Sequence, residues 1–136
     1  MRGITYLSGP ISGCPNGNKQ AFHAMSAVLI SQGVVTLNPH VLCEDMGADS
    51  TQEDYLKVCL KAVLSSNRVL LLEGWERSRG AHVEVIAALK AGIPVHVSKR
   101  PADGILDSTH LSPSALPDIL NRAANLEKEH IIDTLR

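Results

Sequence analysis

The residues best suited to chemistry cluster in one stretch, GWERSRGAHVEV, residues 74–85. Gly74, Trp75, Ser78, Arg79 and Gly80 follow the apolar run RVLLLE and lead into a helical segment that carries Glu84. A helix N-terminus offers unpaired N–H groups and the positive end of the macrodipole, so it attracts anions. Arg77 and Arg79 add positive charge, which makes phosphate the natural ligand of this loop. Glu84 has two readings: a carboxylate that faces a bound sugar, or an acid drawn to a first helical turn by the dipole. Ser78 is a phosphate-binding hydroxyl or a helix cap. Trp75, the only tryptophan, lines a pocket for a base or ribose, or lids the helix packing.

A second candidate loop is SGPISG, residues 8–13. Its Gly9, Gly13 and two serines after an apolar run let backbone N–H groups approach an anion. An ordinary strand-to-helix turn has the same composition. The loop lacks the GK[ST] ending of a Walker motif and is not GxGxxG. His82 and Glu84 form H-x-E, but the P-C-x-x-C partner of a zinc deaminase is absent. His40 and Cys43 are three apart with no second pair of ligands, so no metal site is expected. No G-x-S-x-G elbow is present. No cofactor is expected.

Alternating elements position these loops. Strands are expected at 4–9, 34–39, 68–74 and 93–98, the third apolar without alternation, as in a strand covered on both faces. Helices are expected from 19 to Gly33, with Asn18 as a possible cap, over about 51–65, from about Ala81 to Ala91, and over about 114–135 with Pro117 in the first turn. Residues 40–50 are expected to be irregular and 99–113 to form a long polar loop. Four strand–helix alternations imply one α/β domain with a parallel sheet and helices on both faces. Sites in such folds lie beyond the carboxyl ends of the strands. The loops SGPISG, NPH (with Asn38) and EGWERSRG follow strands one, two and three, so they share one rim.

The composition narrows the function classes. With 136 residues, 44% hydrophobic and 20% charged, the chain suits one globular domain. Thirteen Lys and Arg against 14 Asp and Glu, with no charge block, give no groove for nucleic acid. At 3% aromatic residues, a stacking platform for single strands is also unsupported. No apolar run is long enough for a signal peptide or a membrane span. Three widely spaced cysteines, Cys14, Cys43 and Cys59, read as reduced thiols of a cytoplasmic protein.

Three stretches together carry a family likeness: YLSGPISG at 6–13, Asn18 and Phe22 followed by VVTLNP, and LLLEGWERSRGAHVEVIAALKAGIPV at 70–95. The chain resembles the small phage- and prophage-borne proteins related to nucleoside 2-deoxyribosyltransferases, over roughly its first 95 residues. That superfamily also contains nucleoside 5'-monophosphate N-glycosidases. The resemblance implies a flavodoxin-like fold, a carboxylate nucleophile at Glu84, and a sugar and phosphate pocket around Gly9, Ser12, Gly13, Ser78 and Gly80. Relatives that use free nucleosides typically carry aspartate six residues before the glutamate. The monophosphate hydrolases typically carry a phosphate-contacting serine, as Ser78 is here. The resemblance further implies a homodimer or higher homo-oligomer in which a partner chain completes the pocket.

Both readings combined give a substrate-binding set of Tyr6, Gly9, Pro10, Ser12, Gly13, Asn38, Gly74, Trp75, Ser78, Arg79 and Gly80, with Glu84 catalytic and a small-molecule nucleotide as partner. The expected activity is hydrolysis of the base–sugar bond of a (deoxy)nucleoside 5'-monophosphate. The alternatives are deoxyribosyl transfer and nucleotide binding without turnover. Two positions depart from the family pattern: Cys59 and Asn67 stand where relatives usually have aspartate. Glu84 is expected to be ionised at neutral pH unless strongly desolvated.

Overall fold

The computed structural model describes residues 3–98 and 108–135. The apolar runs become short strands: β1 (Ile4–Ser8), β2 (Val35–Leu37), β3 (Arg68–Leu71) and β4 (Val95–Val97). Between them lie α1 (Lys19–Ser31), the single turn α2 (Pro39–Leu42), α3 (Gln52–Leu64) and α4 (Arg79–Lys90). A fifth strand, β5 (Thr109–Leu111), precedes the long α5 (Leu116–Leu135). The sheet order is β2-β1-β3-β4-β5, parallel except for the antiparallel β4–β5 pair. This is a doubly wound α/β sandwich whose strand order reverses between β1 and β3. A reversal of that kind opens a crevice at the carboxyl ends of the two strands.

Strand alternation sorts the core into two layers. Leu7, Leu70 and Leu72 point to the face covered by α1, where Phe22, Met25 and Leu29 meet them. Tyr6, Val69, Leu71 and Val95 point to the opposite face, against Val63 of α3, Val85 and Ala88 of α4 and Ile119 of α5. Val69, Leu70 and Leu71 are all fully buried, as a strand covered on both faces requires. Burying each such side chain favours the fold by about 1.5–3 kcal/mol.

Several local expectations change. Residues 40–50 are not wholly irregular, because α2 forms with Asn38 as its cap: the side-chain oxygen accepts from His40 N at 3.0 Å. The expected polar loop contains β5, which pairs with β4 through Val95–Leu111 and Val97–Thr109; residues 99–107 of that loop lie outside the described residues. Asn18 does not cap α1 with its side chain, since its amide donates instead to Pro10 O at 3.0 Å and ties the first loop together. Thr51 caps α3 in a reciprocal box with Asp54. Pro117 does sit in the first turn of α5. Among the described residues no helix is long and apolar enough to cross a membrane.

Candidate functional site

A cleft of about 770 Å³ opens beyond the carboxyl ends of β1 and β3, within the usual range of small-molecule sites, roughly 300–1,000 Å³. Glu84 lies in its wall and is only 7% exposed. Glu84 is the sixth residue of α4, whose first turn holds no acid, so its position is not explained by the dipole preference for acids at helix starts. Tyr6 and Ser8 are two apart on β1, so both side chains leave the same face of the sheet. That face meets α4, and both hydroxyls reach the carboxylate. Ser8 Oγ donates to one oxygen at 2.6 Å and Tyr6 Oη to the other at 2.9 Å.

Burial governs the electrostatics of this group. Desolvation pushes the Glu84 pKa up to about 7, although the hydroxyls of Ser8 and Tyr6 pull against it. The carboxyl is therefore shared between its acid and its ionised form near neutrality, which is the strongly desolvated case set apart from the expected ionisation. The α4 dipole offers little help, because it fades beyond the first turn. Tyr6 is itself held well above the usual phenol range, first by burial and then by the neighbouring Glu84 charge. The Cys59 thiol touches Tyr6 and is pushed up to about 12, mainly by burial.

The first and third loops converge on the cleft. Gly9, Ser12, Ser78, Arg79 and Gly80 all line it together with Glu84. Gly9 matters sterically, since a Cβ there would stand 3.0 Å from Leu72 Cβ and drive the first loop off the end of β3. Ser78 fulfils its capping role, its oxygen accepting from Ala81 N at 3.1 Å. A hydroxyl also carries a proton that it can donate, and Ser78 lines the cleft. Arg79 is braced by an ion pair to Glu127 of α5 at 2.9 Å and by Gln52 Oε1 at 3.3 Å.

Five members of the expected set fall outside the cleft lining: Pro10, Gly13, Asn38, Gly74 and Trp75. Trp75 belongs to the core, 5% exposed, its ring 5.2 Å from that of His82 and 5.1 Å from the Arg122 guanidinium above it. This favours the lid reading over the pocket reading. Gly74 has φ +88° and lets Pro10 pack close, at 3.2 Å from the position of a Cβ. Asn38 is buried as the cap of α2, its amide 3.0 Å from His23 Nδ1. His82 is fully buried: Nδ1 donates to Ser78 O at 2.8 Å, which leaves Nε2 to accept from Arg122 Nε at 2.8 Å. That arrangement requires the neutral ring, and burial lowers its pKa accordingly.

The two positions that depart from the pattern of the resembled superfamily lie apart. Asn67 sits at the opposite end of the strands, where its Oδ1 accepts from Ile4 N at 2.7 Å and pins the start of β1. Cys59 lines the cleft. Asp54 cannot replace an aspartate there, because its carboxylate is engaged with Thr51 in the α3 cap. Other lining residues stood outside the expected binding set: Ser8, read only as one of the two serines of the first loop, Cys43, Lys19, and Leu126 and His130 from α5. Among the described residues no three His, Cys, Asp or Glu side chains come together as metal ligands.

Residues 4–97 match the model of a family described as a domain of unknown function, DUF4406. The chain belongs to that family. The matched segment of this DUF4406 member runs from β1 to the end of β4 and includes Tyr6, Ser8, Ser78 and Glu84; β5 and α5 follow it. No curated protein and no solved structure matches the chain.

Proposed function

We propose that the chain is an N-glycosidase that cleaves the base–sugar bond of a (deoxy)nucleoside 5'-monophosphate, with Glu84 as nucleophile. The observation that carries this reading is the buried Glu84 carboxylate, held by Tyr6 and Ser8 in the wall of a cleft that Gly9, Ser12 and Ser78 also line. Breaking an N-glycosidic bond develops positive charge on the sugar, as in glycoside hydrolysis. A carboxylate under the anomeric carbon stabilises that charge and can form a sugar ester, which water then hydrolyses. Two fixed hydroxyls set the direction of the carboxylate before substrate arrives. The start of α4 supports a phosphate subsite through its free N–H groups, the Ser78 hydroxyl proton and the nearby Arg77. The strand order β2-β1-β3-β4-β5 agrees with a flavodoxin-like fold, with an antiparallel last strand as the departure.

A nucleotide-binding module without turnover is the second reading, and Cys59 is the feature that favours it. A thiol pushed up to about 12 cannot supply the charge of an aspartate. Incubation with a panel of ribo- and deoxynucleoside 5'-monophosphates, followed by chromatography for free base, tests the proposal. Release of base from at least one of them is expected. Nucleotide-induced thermal stabilisation with no base released would favour the binding module.

A further inference from the structure

Two of the three cysteines share the wall of the cleft. Cys43 closes α2 and opens the 43–50 segment, whereas Cys59 sits mid-way along α3, and their sulfurs are 3.9 Å apart. A disulfide needs about 2.0 Å between sulfurs. Each sulfur thus has about 1 Å to travel. Cys43 stands on a turn-rich segment outside the sheet and is half-buried, so it can be reached from the cleft. Cys59 is 6% exposed and touches Tyr6, whose hydroxyl donates to Glu84. Cys14 does not line the cleft.

We propose that Cys43 and Cys59 form a redox-active dithiol that a low-molecular-weight disulfide closes into an intramolecular bridge, switching off the site around Glu84. The Cys43 thiolate attacks one sulfur of the small disulfide and expels the first small thiolate. The Cys59 thiolate then attacks the Cys43 sulfur of the mixed disulfide and expels the second. The protein loses two thiol hydrogens and the small disulfide is reduced to two thiols, so the exchange balances. The bridge fastens the 43–50 segment to α3 and pulls the Cys59 sulfur away from its contact with the Tyr6 hydroxyl. The pairing stands on the sulfur geometry alone, whereas its effect on turnover rests on the glycosidase reading.

The test exposes the reduced protein to oxidised glutathione at mildly alkaline pH, because burial raises both thiols. Alkylation, intact mass and a non-reducing peptide map follow. The expected result is the loss of two hydrogens, a cross-linked peptide joining Cys43 to Cys59, and Cys14 still open to alkylation. Cys43→Ser and Cys59→Ser should each abolish the cross-link. Thiols that stay alkylatable, or a bridge that uses Cys14, would overturn the pairing. Base release by the bridged form is expected to be at least about tenfold slower, since shifts near 1 Å at a site cost that much or more, with dithiothreitol restoring it. Equal release by both forms would overturn the switch. No release by the reduced form would overturn the glycosidase reading, and the switch of turnover with it, while the mass and peptide data still judge the pairing.

Discussion

Replacing Glu84 with Gln should make the protein more stable above neutral pH, and the size of the gain follows from the burial of the carboxyl. The pKa is about 7 in the fold against an ordinary 4.5, a difference of about 2.5 units. At about 1.36 kcal/mol per unit, that is on the order of 3 kcal/mol. The folded state binds the proton more tightly than the unfolded chain does. The stabilisation from the protonated carboxyl is therefore fully present below about pH 4.5 and is lost as pH rises through about 7. A glutamine never ionises, and its amide can still serve both hydroxyls, accepting from one and donating to the other. Urea unfolding of parent and variant from pH 4.5 to 8.5 would measure this, and subtracting the two curves cancels the groups common to both. Tyr6 and Cys59, which face Glu84, are both pushed up and stay outside the window. The variant should gain about 3 kcal/mol on the parent across the window. A constant difference would refute the desolvation argument. A parent that gains on the variant as pH rises would mean that the fold stabilises the ionised form.

Three further outcomes follow from single contacts. Ser78→Ala should cost about 1 kcal/mol of stability through the lost α4 cap, and it should weaken binding of monophosphates more than of nucleosides, as read by calorimetry. Arg122→Ala should cost about 1–3 kcal/mol by leaving the buried His82 Nε2 without a donor, while nucleotide affinity is unchanged. Thr51→Ala should cost about 1 kcal/mol in urea unfolding, because Asp54 N loses the Thr51 hydroxyl as its acceptor while the Thr51 N–H keeps its bond to the Asp54 carboxylate.

The parts of the fold legible in the sequence were those built from local pattern. The run RVLLLE announced a doubly covered strand, and the spacing of Phe22, Met25 and Leu29 announced the buried stripe of α1. β5 was not legible, since three residues, Thr109, His110 and Leu111, are held as a strand by pairing with distant β4 rather than by an apolar run. α2 does carry a local signal: Asn38 followed by Pro39 is a cap followed by a residue suited to a first helical position. In the candidate site, the loop before α4 and Glu84 stood out by composition. Ser8 could also have been found, because it is two residues from Tyr6 and must share its face. Trp75 could not, since an aromatic residue in a loop reads the same whether it faces a cleft or, as here, packs beneath Arg122. The contribution of Leu126 and His130 depends on how α5 docks on α4, which no local pattern encodes.

The most direct measurement compares the parent with Glu84→Gln on whichever nucleoside monophosphate releases base, recording turnover and affinity side by side. The variant should still bind the nucleotide and no longer release base. Equal rates of base release from the two proteins would contradict a nucleophilic Glu84.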